Sequence, residues 1–116
     1  MERHNNRALG TRKELEAADY LTGQGVHILE HSFRCRQGEI DLIGREGRTL
    51  LFIEVKYRSS GRSGSAAEAV TPKKQSVIRS VAQYYLFSRR IPQDTPVRFD
   101  VVAMDQKSIR WITDAF

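Results

Sequence analysis

A chain of 116 residues, 40% hydrophobic and 28% charged, can bury one ordinary core but not two, which excludes both a multi-domain architecture and an intrinsically disordered one. Its single cysteine excludes an internal disulfide and any multi-cysteine zinc site, so a reducing cytoplasm is the expected compartment. Nineteen Lys and Arg against fourteen Asp and Glu give a formal charge of +5, which suits a polyanion such as nucleic acid and equally suits simple solubility.

The N-terminal residues are polar and charged, without the apolar stretch of a leader, and no segment approaches the roughly 20 apolar residues of a membrane helix. Residues 1–10 are expected to be a flexible segment ahead of a single domain at 11–116. There, TRKELEAADYLTGQG sets Leu15, Ala18, Leu21 and Thr22 along one helical face, with Thr11 as N-cap and Gly23 as stop signal. Three strands follow, VHILEHSFR, GEIDLIG and TLLFIEVKY. The last two are joined by a short Gly-flanked turn, and the three read as a meander. RSSGRSGS at 58–65 has small and basic residues with no apolar anchor and reads as a loop able to close over a ligand.

Thr71 before Pro72 marks the start of a second helix, in which Val77, Ile78, Val81, Ala82, Tyr85 and Leu86 recur at helical spacing as far as Ser88. IPQDTP ends it. VRFDVVAM then places Val97, Phe99, Val101 and Ala103 on one side of a fourth strand, and SIRWI makes a short fifth. The predicted order is α-β-β-β-α-β-β, an α/β fold with a mixed central sheet flanked by helices.

The charges in the second and third strands carry the chemistry. Residues i and i+2 of a strand share a face, so Leu50, Phe52, Glu54 and Lys56 point one way and Leu51, Ile53, Val55 and Tyr57 the other. One strand earlier, Ile40 and Leu42 lie opposite Glu39, Asp41 and Ile43. With a hairpin loop over 44–49, Ile43 faces Leu50, Asp41 faces Phe52 and Glu39 faces Glu54, leaving Asp41 diagonal to Glu54. Converging carboxylates in a half-buried setting are costly unless a cation neutralises them. An oxygen-only ligand set with room for water and phosphate suits Mg2+ better than zinc. Lys56 would steady a water or phosphate oxygen beside that ion, which makes phosphodiester hydrolysis the natural reaction. The same residues also fit an ordinary i,i+2 ion pair on a solvated sheet face, although Leu50 and Phe52 on that face argue that it is covered.

Asp41, then Glu54-Val55-Lys56 on the next strand, after a helix bearing Glu14, resembles the D…(D/E)-x-K signature of the restriction-endonuclease-like superfamily. More closely, the segments GEIDLI, FIEVKYR, VTPKK and RFDVV, in that order, look like the small bacterial YraN family, over nearly the whole chain from Glu14 to Phe116. The resemblance implies a restriction-endonuclease-like fold similar to that of archaeal-type Holliday junction resolvases. It also implies a metal-dependent nuclease acting on DNA, including branched or recombination intermediates. By the same analogy Asp41, Glu54 and the Val55 carbonyl ligate Mg2+ or Mn2+, Glu14 completes the cluster, Lys56 orients the attacking water, and a homodimer cuts two strands. The rival is a non-catalytic nucleic-acid-binding or adaptor module on the same scaffold, which would join a DNA-processing protein partner.

Other residues have competing roles. Thr11 to Glu14 also reads as a capping box, with Glu14 reaching back to the Thr11 backbone. Glu39 fits the acid cluster, but the spacing favours an ion pair with Arg36 or Arg58 outside it. Asp100 is expected as the buried partner of an arginine. Lys73 and Lys74 sit in the first turn of the second helix, where the macrodipole disfavours cations. With Arg58 and Arg62 they extend a track for a nucleic-acid backbone, to which Gln75 is added. His4, His27 and His31 have no metal-ligand spacing, and Cys35, Tyr84, Tyr85 and Trp111 are assigned to packing.

Overall fold

The computed structural model describes the backbone of residues 2–58 and 70–116 and the side chains of 10–58 and 70–116. Its elements are α1 (Glu2–Gly23), β1 (His27–Cys35), β2 (Gly38–Glu46), β3 (Thr49–Tyr57), α2 (Pro72–Ser88), β4 (Val97–Met104) and β5 (Ile109–Ile112). The strands form one sheet in the order β1-β2-β3-β4-β5. Hairpin neighbours pair antiparallel, whereas β3 and β4 are parallel, because a crossover through α2 returns the chain to the end from which β3 started. Among the described residues no helix is long and apolar enough to cross a membrane.

The two helices cover opposite faces of the sheet. On the α2 face, Ile40, Ile43, Leu50, Phe52 and Val101 pack with Ile78, Val81, Ala82 and Tyr85. On the α1 face, Leu42, Leu51, Ile53, Val102 and Met104 pack with Ala17, Ala18 and Leu21. The N-cap of α2 is Thr71, whose side chain accepts the Lys74 N–H, and Pro72 opens the helix, as the sequence predicts.

α1 departs from expectation. It starts at Glu2, so Thr11 lies inside the helix rather than capping it, and the capping box proposed for Glu14 does not form. Arg7, Ala8 and Leu9 are good helix formers and carry the helix through Gly10. The buried stripe is Ala17, Ala18 and Leu21, while Leu15 is half exposed. Glu14 stands one turn ahead of Ala17 and Ala18 on that core-facing stripe.

The β2–β3 hairpin also differs. Its turn is Gly47-Arg48, with Glu46 opposite Thr49 and Leu42 opposite Ile53, so the expected loop over 44–49 is too long and the expected register is two residues off. Gly47 at φ +60 supplies the left-handed turn conformation that so short a connection needs. A shift of two preserves which face each side chain occupies. Simple alternation nevertheless fails in β2. Ile40 packs with Ile43 on the α2 face and Leu42 on the α1 face, so the pleat is interrupted at Asp41.

Gly38 opens β2 at φ +149, and a Cβ there would meet Val77 Cγ1 at 2.6 Å. Gly38→Ala therefore forces α2 away from the sheet, and urea denaturation should show a loss of about 1–3 kcal/mol. A variant as stable as the parent would contradict this packing.

Candidate active site

The interruption at Asp41 is where the sheet splits. β1–β2 pairing passes from His31↔Leu42 to Phe33↔Ile40, which sets Ser32 against Asp41. Ser32 is one of the few non-glycine residues at positive φ (+50) among the described residues, an unusual backbone state in a strand. On the other side, β2–β3 pairing stops at Leu42↔Ile53. The next pair would be Asp41 and Glu54. Instead the Asp41 carboxylate enters the fork, and its Oδ2 accepts the Val55 N–H at 2.8 Å, a side-chain acceptor standing in for a main-chain one.

Three acids meet at this fork. Glu14 from α1 and Glu39 and Asp41 from β2 each offer a carboxylate oxygen within 4.8 Å of the others, and all three are partly buried. Glu14 is oriented by the Ser32 hydroxyl, which donates to its Oε1 at 2.9 Å. Glu39 Oε1 accepts from Arg34 Nε at 2.9 Å, so its ion-pair partner is neither Arg36 nor Arg58. Arg34 faces Glu39 directly across the β1–β2 ladder, which the order of residues along one strand does not reveal.

Glu54, on β3, stands outside this trio and next to Asp41. It is only 5% exposed, and Lys56 Nζ and Lys74 Nζ lie 3.6 and 3.7 Å from its Oε2. Burial above all, then the charge of Asp41, pushes its carboxyl up to about 7 against the pull of the two lysines. Burial is also the main cause that raises Glu14, reinforced by Asp41 and Glu39 and opposed by the Ser32 hydroxyl. The lysines and Arg34 thus leave the acids incompletely neutralised. The donors are all oxygens, and the protein anchors Glu14, Glu39 and Asp41 through one oxygen each. That set fits a hard divalent cation such as Mg2+ or Mn2+ and lacks the His or Cys that zinc prefers.

The raised Glu54 carboxyl has a consequence for stability. Its unfolded-state value is 4.5 and its folded value about 7, so between these pH values the folded protein holds the proton that the unfolded chain has released. Folding stability should therefore fall as pH rises from about 4.5 to 7. Urea midpoints measured across that range check it, and Glu54→Gln should flatten the decline. A midpoint that rises over the window would contradict the burial of this acid.

The structure brings Glu14 and Asp41 together at the fork and sets Glu54 and Lys56 beside Asp41, with Val55 held at the same fork through its N–H. Lys74 joins them. Lys73 is exposed in the first turn of α2, and Arg58 is exposed just past β3. The Gln75 amide turns back to donate to the Val70 carbonyl at 2.9 Å. Arg62 and residues 59–65 of the expected loop lie outside the described residues. Asp100 is fully buried and paired with Arg98, as expected, while Tyr84 is 44% exposed rather than packed away. Sequence reasoning missed Ser32, whose role depends on a backbone twist, and placed Glu39 outside the cluster. Its i−2 spacing from Asp41 was the available signal.

A family model described as "Uncharacterised protein family UPF0102" matches residues 13–104, a span that holds all four acids and both lysines. A UPF0102 protein of Lachnoclostridium phytofermentans is 49% identical over 112 residues, covering 97% of this chain and 95% of the relative. One from Hahella chejuensis is 46% identical over 93% of this chain and 89% of its own. One from Saccharophagus degradans is 42% identical over 100% and 97%.

Proposed function

The chain belongs to the uncharacterised protein family UPF0102, and for it we propose a metal-dependent nuclease that hydrolyses phosphodiester bonds in DNA, branched or repair intermediates included. The observation that carries this reading is the meeting of Glu14, Glu39 and Asp41 within 4.8 Å, at a fork whose other arm presents buried Glu54 with Lys56. Acids crowded together in a half-buried fork repel one another, and a divalent cation is the partner that relieves the repulsion. Asp41 beside Glu54-x-Lys56 also supports the restriction-endonuclease-like fold that the sequence resembles, and with it the likeness to archaeal-type Holliday junction resolvases.

In this reading Glu14, Asp41 and Glu54 would hold Mg2+ or Mn2+, with Glu39 beside them and the Val55 carbonyl as the backbone oxygen. Such an ion supplies Lewis acidity, activating water and neutralising charge on the phosphate. The chain's own groups do the rest. The Val55 N–H and the Ser32 hydroxyl fix the orientations of Asp41 and Glu14. Lys56 steers the water, and Lys73 and Arg58 offer charge to flanking phosphates.

Purified protein with Mg2+ or Mn2+, incubated with linear, nicked and four-way-junction DNA and with RNA, tests the reading. The expected result is DNA cleavage that EDTA stops. No product from any substrate, together with no Mn2+ uptake by calorimetry, would defeat the nuclease claim. A second reading draws on the two lysines already beside Glu54, which partly satisfy it without any cation: a non-catalytic nucleic-acid-binding or adaptor module. Salt-dependent DNA binding that is indifferent to EDTA and to Glu54→Gln would select it.

A further inference from the structure

Two lysines from different elements approach one atom. Lys56 Nζ, on β3, and Lys74 Nζ, on α2, lie 3.6 and 3.7 Å from Oε2 of the buried Glu54. Both distances exceed the roughly 2.7–2.9 Å of a closed charge-assisted hydrogen bond, so each ammonium is attracted by charge without being locked in place. The main chain of Lys74 is fixed, because its N–H donates to Thr71 Oγ1 at 3.1 Å and Pro72 opens the helix behind that cap. A lysine in a first turn is opposed by the helix dipole. Lys74 offsets this by reaching the site acid, which a residue serving only a flanking phosphate would not need to do.

Resting on the nuclease reading above, we infer that Lys74 is a second lysine of the reacting centre, held on Glu54 until a cation takes that carboxylate and then directed to the substrate phosphate there. The charges decide the direction of movement. With a dication bound at Glu54, both ammonium groups would be repelled from it, and a substrate phosphate bound there would offer Lys74 a new anionic partner. Lys74 therefore opposes cation entry in the free protein and favours reaction once substrate is present, so its removal should change the two measurements in opposite directions.

The test compares Lys74→Ala, Lys74→Arg and Lys73→Ala with the parent protein, each checked for folding by thermal melting. Mn2+ binding is measured by calorimetry without DNA, and kcat and KM on DNA with Mn2+. Lys74→Ala should bind Mn2+ several-fold more tightly yet lose about 10- to 100-fold in kcat. Lys74→Arg should recover most of that rate, and Lys73→Ala should raise KM alone. A Lys74→Ala protein that matches Lys73→Ala, with kcat and Mn2+ affinity unchanged, overturns the inference while leaving the nuclease reading intact. A parent that binds Mn2+ without cutting anything refutes the nuclease reading, and the calorimetric comparison then decides the place of Lys74: tighter binding upholds its hold on Glu54, and unchanged binding removes it.

Discussion

Asp41→Asn is expected to abolish DNA cleavage while leaving the protein folded. The asparagine retains an oxygen where Asp41 Oδ2 accepts the Val55 N–H, so the fork keeps its substitute for a ladder bond. What disappears is the charge. Asp41 is the acid that both Glu14 and Glu54 feel, and its field is one reason that both are raised. Without it, cation affinity should collapse and kcat/KM should fall about 1,000-fold, equivalent to roughly 4 kcal/mol of transition-state stabilisation. Relief of repulsion should hold the melting temperature level or raise it. A variant that still cuts would place the activity elsewhere, and one that fails to fold would show that the carboxylate serves structure first.

The largest stability effect is expected far from this chemistry, at Asp100→Ala. Asp100 is completely buried and receives four hydrogen bonds, each 2.9 Å long: two from Arg98, one from the Trp111 indole and one from the Asp114 N–H. It thereby ties β4 to β5 and to the chain beyond, where Ala115 N–H reaches the Phe99 carbonyl and Phe116 lies against the Phe99 ring. Alanine would leave an indole and a backbone N–H without their acceptor and the Arg98 guanidinium with only Glu46, 3.2 Å away. Removing one member of such a buried pair costs about 3–5 kcal/mol, or roughly 10 °C or more in melting temperature for a domain of this size. A loss below about 1 kcal/mol would mean that water replaces the carboxylate.

Much of the fold is legible in the residues because their signals are local. Thr71-Pro72 can hardly be anything but a helix start, and the repeat from Val77 to Leu86 specifies which side of α2 is buried. TLLFIEVKY and VRFDVVAM mark β3 and β4 at the bounds the structure gives them. The failures lie where one local signal competes with another or with tertiary packing. Thr11-Arg12-Lys13-Glu14 is a persuasive cap only if the helix begins there, and residues 2–10 carry too little apolar pattern to announce that it has already begun. Gly44 reads as a turn. It is instead a strand residue at which a Cβ would come within 2.8 Å of Val26 Cγ1, and the real turn is at Gly47.

The candidate site was readable in its parts but not in its geometry. Asp41, Glu54 and Lys56 announce themselves as charges in apolar strands, and Glu14 as an acid on the helical face of Ala18 and Leu21. The meeting of Glu14 and Glu39 with Asp41 depends on the twist at Ser32 and the fork at Val55. Alternation along a single strand encodes neither. The approach of Lys74 depends on where α2 begins over the sheet, which the crossover geometry sets.

Anomalous scattering from a crystal soaked in Mn2+ would test the central claim most directly. The expected result is a single strong peak at the fork, within coordination distance of Asp41 and of carboxylate oxygens from Glu14, Glu39 or Glu54, with Lys74 drawn off Glu54. A fully soaked crystal with no peak there, its acids still held by Lys56, Lys74 and Arg34, would contradict it.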